Sequence, residues 1–537
     1  MATKSHLNQV IASHLVELRA DEKPDTVVYV FEKGEHGEDV LTYRDLHENG
    51  NKIARLLLDN GVDKGDSFAV FMRNYPEFIY ALLAGTTIGA VMVPIDPRNR
   101  GDRLKFLLNN CGAKAVIAAD DSLETLEEVI ADVPSVKLVS VAYHKENGVP
   151  VSPKYHALNE TLEKTAWETV DQRIMDVRHP MQIIYTSGTT GDPKGVAIRN
   201  NRTGLFNILN SLVWKYKKDD VLYNGLSLTH GNAQSVTLFP ALSMGIKAVF
   251  SARFTKSRIW DICRKYGCTS FSLLGGMMAG IYNEPEKPND ADNPVKVVIS
   301  AGTPVSLWEA FEKRFNVQIL EWYGSVEGGF AYKPIGKGPV GSFGKPVPGV
   351  MEFKVVDDDD NELPPGETGE LICKLTKGDT RVDYVGKPEE SKEKTKSGWL
   401  RTGDMVHRDA EGWYFFDFRK GTELRRAGDF IQPEYVETVI GRHPDVSEVC
   451  VYGVPAASGA PGESDLVAAL APFEGKAIDP KAIYEMCAKD LESNFIPSYL
   501  QVVDEIPKTV TEKALARVLK DAFLRGEGTI YKHADFR

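Results

Sequence analysis

The chain has 537 residues, with 64 basic and 76 acidic side chains and a net charge of −12. That balance argues against nucleic acid or an anionic membrane as the main partner, so an anionic nucleotide has to be drawn by local lysines and arginines. The length exceeds one compact core, so two or more domains are expected, and the six cysteines form no C-x-x-C pair, which indicates neither a zinc knuckle nor a redox pair and suits a reducing compartment.

In chain order, residues 6–20 read as a short amphipathic helix, and Val27–Phe31 as a strand with Leu41–Tyr43 as its partner. Thr42 is placed to cap a helix running through Asp45, Ile53 and Leu58. Ser67–Phe71, a helix from Pro76, Val91–Ile95, a helix near 103–110 and Ala115–Ala118 follow. The apolar run Ile79–Ile95 is broken by Gly85, Gly89 and Pro94, and reads as a buried helix entering a strand, not as a membrane span. Alternating strands and helices predict a mainly parallel sheet covered on both faces, and the alternation resumes at Ala248–Phe250, Phe271–Leu273 and Val297–Ile299.

From about residue 340, short strands with Gly, Pro and Asp turns dominate, at Glu352–Val356, Gly369–Lys374 and Tyr414–Phe418. Asp357–Asp360 lacks the alternating ligands and closing glutamate of a calcium loop and reads as a solvated turn. Gly336–Gly341 spells G-x-G-x-x-G, but Pro339 sits inside it and no helix follows, so it is a loop. Residues 421–537 return to mixed α/β, with a helix near 433–441, a strand at Val449–Tyr452, and helices near 480–492 and 511–524. The fold class is α/β. Residues 1–420 form a large N-terminal domain of mainly parallel sheets with a β-rich subdomain at about 340–420, and residues 421–537 a smaller α+β domain.

One stretch organises the chemistry: Tyr185-Thr-Ser-Gly-Thr-Thr-Gly-Asp-Pro-Lys194-Gly195, between strands ending at Ile184 and beginning at Val196. Its glycines can turn backbone N–H groups inward, its hydroxyls add donors and its lysine adds a charge, which together make a polyphosphate cradle. The order of a P-loop is absent. This stretch resembles the phosphate loop of the adenylate-forming superfamily of acyl-CoA synthetases, carrier-protein adenylation domains and luciferases. Four further patterns match in order. They are Ser300-Ala301-Gly302-Thr303 beside the adenine, Tyr323-Gly324-Ser325-Val326-Glu327, Thr402-Gly403-Asp404 with Arg419 at the ribose, and Pro507-Lys-Thr509 leading to Lys513.

The resemblance implies that Thr186, Ser187, Gly188, Thr189, Thr190, Gly191 and Lys194 hold the phosphates of ATP, that Glu327 holds Mg²⁺, and that Lys513 is the catalytic lysine, with Thr511 capping its helix and Leu515, Val518, Leu519 and Phe523 facing inward. It implies an acyl pocket at His230, Asn232, Gln234, Gly275, Gly276, Met277 and Gly328. It also implies a mobile C-terminal domain hinged at Gly421, with Arg425, Arg426 and Gly428 turned toward coenzyme A. Three departures stand out: Val326 for threonine, Glu512 for glycine, and Gly421 for the usual aspartate or lysine.

The expected activity is an ATP-dependent carboxylate–CoA ligase acting through an acyl-AMP, similar in look to crotonobetaine/carnitine-CoA ligases and medium-chain acyl-CoA synthetases. A free-standing enzyme loading a carrier protein and a weakened nucleotide-binding homologue are the alternatives. The partners are then a small carboxylic acid, ATP and coenzyme A, without nucleic acid, and a homodimer is allowed. The first residues hold no apolar signal core and the final Ala-Asp-Phe-Arg no peroxisomal address, which sets a cytoplasmic expectation.

Overall fold

The computed structural model describes residues 7, 10–186, 193–420, 424–426, 429–431, 433–457, 464–491, 493–509 and 513–536. The predicted strand–helix alternation is present, but it feeds two sheets, not one. Ser67–Phe71, Val91–Ile95, Ala113–Ala119 and Leu138–Ala142 run parallel in a seven-stranded sheet that ends in the antiparallel hairpin Pro180–Tyr185 and Gly195–Arg199. Val27–Glu32 leaves this neighbourhood and pairs with Ala248–Ser251 in a thirteen-stranded sheet. Pattern in the chain predicts a buried strand but carries no information on which sheet receives it.

In the larger sheet Leu222–Asn224, Ser270–Leu274, Val297–Ala301 and Gln318–Gly324 are parallel neighbours. Beyond them the sheet turns antiparallel through Phe330–Lys333 and Ser342–Pro346 into Tyr414–Arg419, Leu400–Arg408, Gly369–Leu375 and Met351–Val356. The β-rich region is therefore a continuation of the thirteen-stranded sheet. Asp357–Asp360 is a turn, with Asp358 paired to Lys420 at 2.9 Å and Asp360 to Arg401.

Helix Pro76–Ile88 is buried at every position, and helix Tyr43–Asp59 packs on it. Gly50 permits that approach, since a Cβ there would stand 3.1 Å from Leu83 Cβ. Thr42 caps Tyr43–Asp59 through a reciprocal bond with Asp45, as its spacing predicts. The helix expected over 6–20 is present, with residues 7 and 10 helical, a bend at Ile11 and helix Ala12–Glu22 after it. Asn74, 2% exposed, ties the sheets together: its Nδ2 donates to the carbonyls of Leu226 and Ser251 at 2.9 Å, and its Oδ1 accepts from Leu228 N–H at 2.7 Å. That fixes the segment leading to His230.

Residues beyond 420 build a separate four-stranded sheet, Val446–Pro455, Ser464–Pro472, Tyr499–Val502 and Thr529–Lys532, with its own buried cores. Among the described residues no helix is long and apolar enough to cross a membrane.

Gly344 sits where the parallel core passes into the antiparallel extension, with φ +104° and a would-be Cβ 2.0 Å from the Tyr332 carbonyl carbon. Gly344→Ala is expected to cost at least about 1–3 kcal/mol from the backbone alone, read as a lower melting temperature. An unchanged melting temperature would show that this junction relaxes freely.

Candidate active site

The end of the parallel core and the antiparallel extension meet at Asp404. This carboxylate is 5% exposed. Its Oδ2 accepts from the Tyr323 hydroxyl and its Oδ1 from the Arg419 guanidinium, both at 2.5 Å. Arg419 is cross-strand partner to Asp404, so an antiparallel register delivers the cation. Burial works against the Arg419 charge, but Asp404, Tyr323 and Glu327 more than compensate, and its pKa rises. The Tyr323 phenol is pushed well up by burial and by Asp404. Its ring lies tilted against Phe343, centroids 4.7 Å apart.

Strand Val297–Ala301 ends in the loop Ser300–Thr303, held by a carboxylate that reading the sequence passed over. Glu321 Oε1 accepts from Gly302 N–H at 2.6 Å and Thr303 N–H at 3.2 Å, and Oε2 from the Thr303 hydroxyl at 2.6 Å. With its proton directed at Glu321, the Thr303 hydroxyl accepts from the Ser300 hydroxyl 2.6 Å away. The signal was present as a lone charge inside the apolar strand Gln318–Gly324. Burial raises the Glu321 pKa to about 7, against the pull of its Thr303 and Gly302 bonds. Gly275 faces this loop so closely that a Cβ would stand only 1.8 Å from the Gly302 carbonyl oxygen.

The hairpin around the phosphate loop closes at its base, where Thr186 N–H donates to the Lys194 carbonyl at 3.0 Å and Lys194 N–H to the Thr186 hydroxyl at 3.3 Å. Ser187, Gly188, Thr189, Thr190 and Gly191 lie outside the described residues. Lys194 Nζ pairs with Glu390 at 2.5 Å and sits 5.2 Å from the Tyr384 ring centroid. The Tyr384 hydroxyl donates to Glu327 Oε1 at 3.3 Å. Arg202 donates to the carbonyls of Ser325 and Val326 at 3.3 and 3.0 Å, which holds the Glu327 turn from below. Arg202 is partly exposed as a residue, yet desolvation pulls its pKa down to about 10, with Glu327 opposing.

Lys394 is a further cation that the sequence hid in the charged helix Pro388–Lys394. Its Nζ donates to the Thr402 carbonyl at 3.3 Å. Desolvation lowers its pKa against the fields of Glu327, Asp404 and Glu370, with Arg419 adding to the drop. A helix of composition Pro-Glu-Glu-Ser-Lys-Glu-Lys reads as solvated, and only its docking beside strand Leu400–Arg408 turns one lysine inward.

Lys513 faces the same cleft. Lys513 is exposed as a residue, yet its ammonium is within the fields of Asp404, Glu327 and Arg419, and desolvation lowers its pKa first, Arg419 second. The expected helix at Lys513 is corrected: helix Ala516–Leu524 starts later, and Lys513 lies next to the antiparallel bridge between Lys508 and Ala514. Lys513 N–H donates to the Thr509 hydroxyl at 3.1 Å, a local bond that competes with helix formation. Leu519 and Phe523 pack inward, but Val518 is exposed. Thr511, Glu512, Gly421, Gly428 and the Arg425 side chain lie outside what is described. Arg426 donates to the Ile496 and Asn494 carbonyls at 2.5 and 3.2 Å, tied within the C-terminal region.

On the opposite side, His230 Nδ1 accepts from Asn232 N–H at 3.2 Å, and Gln234 Nε2 donates to the Leu228 carbonyl at 2.8 Å. Burial and the nearby Lys513 pull the His230 pKa down to about 4, so it is neutral at ordinary pH. Gly275 and Gly276 open helix Gly275–Tyr282, in which Met277 is buried. Gly328 turns at φ +148°, its would-be Cβ 3.0 Å from Leu400. Among the described residues no three His, Cys, Asp or Glu side chains converge as a metal cage.

The profile of the AMP-binding enzyme family matches residues 16–377, and that of the AMP-binding enzyme C-terminal domain matches residues 435–513. Long-chain fatty acid transport protein 2 of Rattus norvegicus is 30% identical over 509 residues, 89% of this chain and 80% of its own. Crotonobetaine/carnitine–CoA ligase of Citrobacter koseri is 26% identical over 497 residues, 91% of this chain and 95% of its own. An anthranilate CoA ligase in complex with anthranoyl-AMP shares the fold, with a TM-score of 0.83 at 21% identity over 97% of this chain and 99% of that one.

Glu321 generates a pH prediction. Its folded pKa, about 7, lies above the ordinary 4.5, so the folded state holds the proton more tightly. The stability it contributes is present below pH 4.5 and is lost as pH rises through about 7. Glu321→Gln keeps the acceptor for Gly302 and Thr303 and should flatten the melting temperature between those pH values. A slope identical to wild type would assign the pH dependence to another group.

Proposed function

This chain belongs to the AMP-binding enzyme family, and on that premise we propose that it is a carboxylate–CoA ligase that works through an acyl-AMP, releasing pyrophosphate first and AMP second. The observation that carries this reading is the convergence of Lys513, from the C-terminal region, on the cleft of Glu327, Asp404 and Arg419.

In the proposed first step the carboxylate oxygen attacks the α-phosphorus of ATP, and the bond to the pyrophosphate oxygen breaks. Two anions must approach, so cations decide the barrier. Lys513 is set to bridge the attacking carboxylate and the α-phosphate. Lys194 leaves Glu390 to meet the outer phosphates; this exposed ion pair is cheap to give up. Tyr323 offers a ring face to the adenine, and Asp404, paired with Arg419 at 2.5 Å, accepts from the ribose hydroxyls. Glu321 holds the loop Ser300–Thr303 beside the base. The hard carboxylate oxygen of Glu327 suits Mg²⁺, a metal that takes one or two protein carboxylates together with substrate phosphates and would there neutralise phosphate charge.

In the second step the coenzyme A thiol attacks the acyl carbonyl and AMP leaves. A lysine over the α-phosphate and an open path for the thiol are competing demands on one cleft, so the domain after residue 420 is proposed to turn about Gly421 between the steps. Glycine accepts a large backbone change at low cost. The acyl group is assigned to the side of His230, Asn232, Gly275 and Met277.

Lys513→Ala is expected to lower acyl-adenylate formation about 100-fold or more, measured as pyrophosphate release. Conversion of pre-made acyl-adenylate and coenzyme A should largely survive. Equal loss in both half-reactions would remove Lys513 from its assigned step. Pyrophosphate release without coenzyme A-dependent AMP formation would point instead to a loader of carrier proteins.

A further inference from the structure

The segment proposed above to line the acyl side holds a polar group that the ligase chemistry does not use. Asn232 follows Gly231, whose would-be Cβ stands 3.8 Å from Val326 Cγ2, and precedes the wholly buried π-helical stretch Ala233–Leu238. It is 4% exposed. Its Oδ1 accepts from the Ser272 hydroxyl at 2.5 Å, on the strand that runs into Gly275. Its backbone N–H is occupied by His230 Nδ1 and its carbonyl by the Ser235 hydroxyl. The side chain is therefore pinned from two directions, and one polar atom remains: Nδ2, buried with no hydrogen-bond partner.

A dry amide donor is costly, and native interiors rarely keep one. The cost is recovered when a guest brings an acceptor. A hydrocarbon chain brings none and would leave Nδ2 unpaired in the complex. His230 contributes a second donor beside it: neutral, with Nδ1 accepting, it carries its proton on Nε2. Val326 and Met277 add apolar surface on this side, and the Gln234 amide assigned to it already donates to the Leu228 carbonyl.

We propose that the acyl group this enzyme takes carries an oxygen acceptor on its chain, as an oxo or hydroxy acid does, and that Asn232 selects it; this rests on the ligase reading above. Sites built to hydrogen-bond a substrate reject the analogue lacking the group far more strongly than apolar pockets reject a missing methylene. Asn232→Leu keeps the volume and removes the donor, so it converts the site to one that prefers the plain chain.

The test measures kcat/KM for acyl-CoA formation with ATP, Mg²⁺ and coenzyme A. Straight-chain acids of graded length are compared with oxo and hydroxy acids of the same length, substituted at successive positions. Wild type should favour its best oxygenated acid over the plain twin about 10- to 100-fold, and Asn232→Leu should abolish or invert that ratio. Ser272→Ala, which frees the amide to rotate, should lose part of the ratio and serves if the leucine variant does not fold. Plain acids used as well as their oxygenated twins, or a ratio untouched by Asn232→Leu, overturn the inference and leave the ligase reading standing. Failure of every acid in both sets to yield acyl-CoA or AMP overturns the ligase reading itself, and the inference with it.

Discussion

A carboxylate can be buried only if donors or cations take the place of water, and Asp404 is where this chain meets that demand. Tyr323 comes from the last parallel strand, Arg419 from the antiparallel neighbour of Asp404, and the charge of Lys513 from the C-terminal region. One side chain thus links the parallel core, the β-rich extension and the C-terminal region. Breaking a buried pair by removing one partner leaves an uncompensated charge, so geometry here is over-determined. Asp404 presents its oxygens in a fixed direction, and that direction sets where a nucleotide's sugar would lie.

Around this node the backbone approaches itself more closely than side chains allow. Gly275 abuts the Gly302 carbonyl, so the helix at the acyl side and the loop beside the adenine touch main chain to main chain. The two proposed subsites are therefore built as one unit. Asn74 adds a polar bridge between the sheets and fixes the start of the segment that carries His230 and Asn232. Such bridges tolerate little displacement, because buried hydrogen bonds are short-ranged and directional.

The charges in the cleft lie in a resting arrangement. Lys194 is held by Glu390, which also pairs with Lys387 at 2.9 Å. Tyr384 joins Glu327 to the surroundings of Lys194. Arg202, Lys394 and Lys513 all sit where desolvation weakens their charged forms. Cations held at such a cost are set to gain from an incoming polyanion, which favours their charged state.

The sequence by itself determined the succession of strands and helices, the cap at Thr42, the hairpin around the phosphate loop, and the order of the motifs that end at Tyr323, Asp404, Arg419 and Lys513. The elements, the cap and the hairpin are local properties, carried by periodicity, turn residues and spacing, whereas the motifs were read through their resemblance to a family. It did not show that Val27–Glu32 joins a sheet other than that of Ser67–Phe71, because a buried strand reads the same in either. Nor did it reveal the partners. Glu321 is one charge in an apolar strand until the loop Ser300–Thr303 folds onto it, Lys394 is one lysine in a charged helix until Thr402 receives it, and Arg202 is unremarked until the turn at Ser325 lies above it. Lys513 was read from its motif, yet its pairing with Thr509 was missed, since a helix pattern from Leu515 onward outweighed one bond. Only tertiary structure decided these matters, because a hydrogen bond or ion pair between residues far apart in the chain depends on which surfaces the folded sheets bring within about 3 Å of each other.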